Sequence, residues 1–208
     1  MTSYRKHTPR IAMAAVAAGA ALTLAACGGN DDSGSGHGGG HGSSSSAPAA
    51  KADKDGKHNA ADVAFAQQMI QHHRQAIEMA ELVPDRAGSA EVKKLGADIK
   101  KAQDPEIETM SGWLKSWGEE VPGDMSGGHG GHDMPGMMSA DEMAKLEKSE
   151  GAAFDKLFSE LMIKHHEGAI EMAETEKKDG AYGPAKKLSD AVIKTQSAEI
   201  KVMEKLAD

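Results

Sequence analysis

An all-α fold is predicted, a four-helix bundle assembled from two copies of one αα-hairpin. Three observations predict it. The phrase MIQHHRQAIEMAE at 69–81 returns as MIKHHEGAIEMAE at 162–174, so one structural unit occurs twice. Apolar residues recur at helical spacing from about Asn59 nearly to the end. Each copy is interrupted by a Pro- and Gly-bearing break, VPDRAGS and KKDGAYGP, where helices stop. Two hairpins that each leave an apolar face uncovered close against one another as a bundle.

The elements follow in order. The chain opens on MTSYRKHTPR, with Arg5, Lys6 and Arg10 basic, and continues into the apolar run IAMAAVAAGAALTL and LAAC at 24–27. A basic start, an apolar run of roughly fourteen residues and small residues before a break describe a secretory signal. The run is shorter than the about 20 residues of a membrane-spanning helix. Leu24 to Cys27 resembles the lipobox of bacterial lipoproteins, which implies removal of residues 1–26 and a lipid on Cys27. More than one acyl chain is needed for a stable hold, so the expected partner is the membrane and the expected place the cell envelope, outside the cytoplasm. Residues 27–58 are rich in Gly, Ser and Asp without apolar periodicity. Such a segment buries too little surface to repay its ordering entropy and is expected to be a disordered tether.

The helical domain is expected over 59–208: repeat one at 59–118, a His/Met-rich loop at 119–138, repeat two at 139–208. Asp62 matches Asp155, Phe65 matches Phe158, and Met69 matches Met162 at one constant offset. The same offset joins Gln103, Glu106, Ile107 and Met110 to Gln196, Glu199, Ile200 and Met203. Ser139 with Glu142 forms a capping-box pattern that should open the third helix. Pro105 should remove a hydrogen bond and kink the second helix, whereas its counterpart is Ala198. Trp113 and Trp117, one turn apart, either close the bundle end or form an exposed anchor.

A helical projection places Phe65, Met69, Ala76, Ala80 and Val83 on one inward stripe, with His72 and His73 on its flanks and Met79 near His72. Arg74 and Glu78 point to water. On the second helix Gln103 and Glu106 turn inward beside Leu95, Ile99, Ile107 and Met110. Each hairpin is therefore expected to bury two imidazoles, an amide and a carboxylate. A buried polar group without a partner costs about 1–3 kcal/mol. Either a His–Glu/Gln network satisfies them, or a metal ion does.

The donor set bears on which metal. The residues three before His72, His73, His165 and His166 are Met69, Ile70, Met162 and Ile163, so the Glu-x-x-His of di-iron bundles is missing. Zinc structural sites draw on Cys, and the single Cys is Cys27. Thioether with imidazole suits copper, above all Cu(I), and a thioether has no proton to lose at low pH. The loop adds His129, His132, Met134, Met137 and Met138, and His37 and His41 lie upstream; short His-rich tracts capture metals. Met143 is expected to be plain packing. With 13 Met, 10 His and a net charge of −8, the composition offers no basic stripe for nucleic acid.

The pattern Asp-x-x-Phe-x-x-x-Met-Ile-x-His-His-x-x-Ala-Ile-x-Met-Ala, at 62–80 and again at 155–173, resembles the bacterial family called domain of unknown function 305. The resemblance implies a ferritin-like bundle, export, and in some members copper binding. It points to Met69, His72, His73, Met79, Met162, His165, His166 and Met172 as metal ligands. Glu106 and Glu199 are expected behind the imidazoles, orienting them. The expected function is a lipid-anchored protein that sequesters or relays copper and is not an enzyme. The rivals are a non-metal interaction module of the envelope and a metal-dependent redox enzyme; the latter would need an open coordination position and a base, for which the sequence shows no motif.

Overall fold

The computed structural model describes residues 56–123 and 134–207. Within them lie α1 (Ala60–Glu81), α2 (Val83–Arg86), α3 (Ala90–Trp117), α4 (Ala140–Lys148), α5 (Gly151–Asp179) and α6 (Gly183–Ala207). Four of these are long and form the expected bundle: α1 packs along α3, α5 along α6, and the two hairpins meet chiefly through α1 against α5. No helix among the described residues is long and apolar enough to cross a membrane. Cys27, His37, His41, His129 and His132 lie outside the described residues.

Asn59 starts α1 with a capping box, its side chain accepting from Ala61 and Asp62 while Asp62 Oδ2 accepts from Asn59 N at 2.6 Å. Ser89 caps α3 through Val92 N, and Gly118 ends it in the left-handed region (φ 75°). That conformation is cheap only without a Cβ. The helix runs unbroken through Pro105, which sits on its exposed face, so the missing donor falls on the solvent side.

One boundary differs from the expectation. The Ser139–Glu142 capping box is present, but it opens the short α4 and not the third long helix. Ser149 adopts an extended backbone and donates from Oγ to Leu146 O, and Gly151 takes φ 61°. The chain thereby turns once more before α5 begins. Helix α4 still buries Met143 and Leu146, so Met143 is the packing residue it was expected to be.

Each hairpin holds the other's turn. Asp155 in α5 accepts from Gly88 N (2.9 Å) and Ser89 N (2.8 Å), just ahead of α3. Asp62 in α1 accepts from Ala181 N (3.1 Å) and Tyr182 N (2.8 Å), just ahead of α6. Tyr182 packs edge-on against Trp113 and Trp117, with ring centres 5.5 and 5.2 Å away. His58 stacks on Trp117 at 4.4 Å, so the tryptophans close this end of the bundle.

The core is split in two. Ala76, Met79 and Val83 of the first hairpin join Phe154, Phe158 and Met162 of α5 in one apolar cluster. Phe65, Met69 and Met110 join Ala169, Met172 and Val192 in the other. On all four long helices the residues at the boundary between clusters are polar: His72 and His73, Gln103 and Glu106, His165 and His166, Gln196 and Glu199. The molecule has a polar waist.

Candidate metal centre

The waist is built by phase and duplication. In α1 the seven-residue step from Met69 to Ala76 keeps the stripe inward, and the adjacent His72 and His73 both reach the interior because the stripe is covered on two sides, by α5 and by α3. Both are fully buried, as are their counterparts His165 and His166 in α5. His72 and His165 meet face to face across the two hairpins, ring centres 3.7 Å apart and tilted by 37°. They occupy the same position in the two repeats.

Their flanking partners are matched too. His73 Nε2 lies 2.7 Å from Glu106 Oε2, and His166 Nε2 lies 2.7 Å from Glu199 Oε2. The carboxylates are not fully buried: the Glu106 side chain is 20% exposed and that of Glu199 15%. A carboxylate keeps part of its hydration this way, which lowers the cost of its burial. As a carboxylate only accepts, each of these Nε2 atoms donates. Nδ1 of His73 and of His166 is buried and unpartnered.

The central pair is starker. His72 Nε2 donates to the carbonyl of Pro135 at 3.2 Å, and its Nδ1 has no partner. Neither ring nitrogen of His165 has one. Burial, and then the neighbouring imidazoles of His73 and His166, push His72 down to about 3. Burial, followed by His72 and the other two histidines, holds His165 well below the ordinary imidazole value. Both rings are therefore neutral at pH 7, the form that ligates metals. Gln103 Oε1 and Gln196 Oε1 are buried without partners in the same layer. The network alternative foreseen from sequence is thus fulfilled for the outer His–Glu pairs and not for the central pair.

The methionines divide between the clusters. Met69 and Met172 belong to one side of the waist, Met79 and Met162 to the other. Of the eight anticipated ligands, His72 and His165 form the central pair, His73 and His166 each meet a carboxylate, and the four methionines divide between the two clusters. Among the described residues no three His, Cys, Asp or Glu side chains are grouped to hold one ion. An ion on the pair would need sulfur or another donor to complete its shell, and the residues fit such an ion: orphaned neutral imidazoles with thioethers on both sides favour a soft metal.

Of the loop donors, Met134 and Met137 are half-buried. Met138 is not a loop donor in open solvent: it is 4% exposed and packs in the apolar core with Met79 and Met162. It is pinned there by Gln75, whose Nε2 donates to Met138 O (3.0 Å) and whose Oε1 accepts from Met138 N (2.7 Å). A sequence reading centred on His and Met passes over Gln75, Pro135 and Gly168. Their signal was a mismatch within the repeat, since Gln75 and Gly168 hold equivalent positions. Asp62 and Asp155 were visible as repeated residues, but not their grip on distant turns.

The protein is thus a duplicated helical hairpin with a histidine waist between two methionine-bearing clusters. The chain belongs to the family described as Domain of unknown function (DUF305), which it matches over residues 62–207. Among solved structures it is similar to a DUF305 protein of Streptomyces coelicolor described as secreted, with 34% identity, a TM-score of 0.64, and 70% of this chain and 91% of that chain covered. It is also similar to CopM in the Cu(II)-bound form, with 37% identity, a TM-score of 0.62, and 70% and 95% covered. CopM in the Cu(I)-bound form gives 33% identity, a TM-score of 0.58, and 69% and 93% covered. No curated protein matches the chain.

Proposed function

We propose that this chain is an extracytoplasmic, lipid-anchored copper-binding protein that holds Cu(I) for sequestration or relay, and that it acts by binding and not by catalysis. One observation carries the reading: His72 and His165 are neutral, fully buried and in ring contact, with three of their four nitrogens unpartnered. Leaving such groups unpaired costs stability, and a soft cation is the ligand that would satisfy lone pairs in a sulfur-rich interior. Met69, Met79, Met162 and Met172 would supply thioether. Glu106 and Glu199 would hold the flanking imidazoles in orientation, as carboxylates do behind metal-bound histidine. Similarity to CopM, solved with Cu(I) and Cu(II), supports the metal. The secreted relative supports the location, and the lipobox-like Leu24–Cys27 supports the anchor.

Equilibrium dialysis of the mature chain against buffered Cu(I) tests the reading, with His72→Ala/His165→Ala as the variant and circular dichroism as the check on folding. The wild type should take up copper and the folded double variant should lose the bundle-held ion. Equal uptake by both would remove the bundle site. The same experiment on Glu106→Gln and Glu199→Gln should show affinity reduced on the order of 10- to 100-fold.

A further inference from the structure

Pro135 faces two ways. Its carbonyl oxygen accepts from His72 Nε2 at 3.2 Å. It also lines a cavity of about 320 Å³ together with Phe65, Gln68, Met172 and Glu176, and with Glu171 and Asp179, which are exposed at its rim. A thioether and an acidic rim thus lie on one side of Pro135 and the histidine pair on the other. Pro135 begins the short strap that runs to Met138.

Two helices hold that strap. On α1, Gln75 grips the backbone of Met138 with both a donor and an acceptor, out of contact with water. On α5, Gly168 lets the strap descend: a Cβ there would stand 2.1 Å from Pro135 O and 2.7 Å from Gly136 Cα. These are the same position of the repeat, one copy carrying the latch and the other the clearance. The result is asymmetric, because His165 receives no bond equivalent to the one His72 makes.

We propose that the Pro135–Met138 strap is a door between this cavity and the His72–His165 pair, latched by Gln75, and that it sets the rate at which an ion reaches or leaves the pair. The proposal rests on the reading of the pair as a copper site, but its central element, restricted access to His72, can be measured without metal. A door alters rates on both sides of an equilibrium. A ligand or a packing residue alters how much is bound.

Two variants on different helices test it. Gln75→Ala removes the latch, and Gly168→Ala pushes Pro135 aside. In stopped flow, mature protein loaded with Cu(I) is mixed with a chromophoric Cu(I) chelator. Losing the two hydrogen bonds of the latch should speed release on the order of tenfold, with copper per chain at saturation unchanged. In parallel, the metal-free proteins are treated with diethyl pyrocarbonate and His72 modification is followed by peptide mass spectrometry; the same acceleration is expected. Gln75→Ala decides alone should Gly168→Ala fail to fold. Wild-type rates in both assays overturn the door, as does faster release accompanied by lost stoichiometry. A chain that takes up no Cu(I) yet modifies His72 faster in the variant sinks the copper reading and upholds restricted access through the strap.

Discussion

His165 is a fully buried imidazole at the centre of the waist. Both of its nitrogens are buried and unpartnered, and its charge is suppressed by the surrounding core. Replacing an unpaired buried polar group by an apolar one of similar shape is neutral or stabilising. His165→Leu should therefore raise the urea midpoint of the chelator-treated protein, a gain in unfolding free energy of about 1–3 kcal/mol, while losing the bundle-held copper. A lower midpoint would mean that the imidazole is a structural member of the waist. Such opposition between stability and function is what a ligand-binding residue produces. His73 and His166 should behave differently, because each already has a carboxylate at 2.7 Å.

At the scale of the helices, the turns are set by carboxylates from the opposite hairpin. Asp155→Ala removes the acceptor for Gly88 N and Ser89 N, and chemical denaturation should register a loss of about 1–3 kcal/mol. The matching end has an added feature. Glu176 is buried beside Asp62; burial first, and then that neighbour, push it up to about 8 from an ordinary 4.5. The folded chain thus holds a proton in that interval which the unfolded chain releases. Its contribution to stability is complete below the unfolded value and is lost as pH rises through about 8. Melting temperature should accordingly fall between about pH 5 and pH 9 in the wild type, and more shallowly in Glu176→Gln. Parallel pH profiles for the two proteins would show that Glu176 is not the group responsible.

For the molecule as a whole, ligand binding and stability should be linked. A ligand that binds only the folded chain adds about 2.7 kcal/mol at a hundredfold excess over its dissociation constant. Thermal melts with buffered Cu(I) should shift upward for the wild type and stay fixed for His72→Ala/His165→Ala. The bundle, the inward histidines and the carboxylates behind them were legible in the sequence, because helical phase and an internal repeat both constrain them. Glu106 and Glu199 fell out of the same phase as Ile107 and Met110. The boundary at Ser149–Gly151 was not legible, since a capping box announces where a helix begins and not how soon it stops. Nor was the strap: Gly168 signifies clearance only once Pro135 is seen against it. The division of the methionines between two clusters also escaped, because a projection of one helix shows which way a side chain points but not which neighbours share its level.

The reciprocal grip of Asp62 and Asp155 carries a consequence for symmetry. These contacts are self-complementary: each aspartate holds the same two turn positions of the other half, and His72 touches its own counterpart. That is the pattern of an isologous interface around a two-fold axis. The two halves are arranged as the subunits of a homodimer would be, and they depart from that symmetry at the Pro135–Met138 strap.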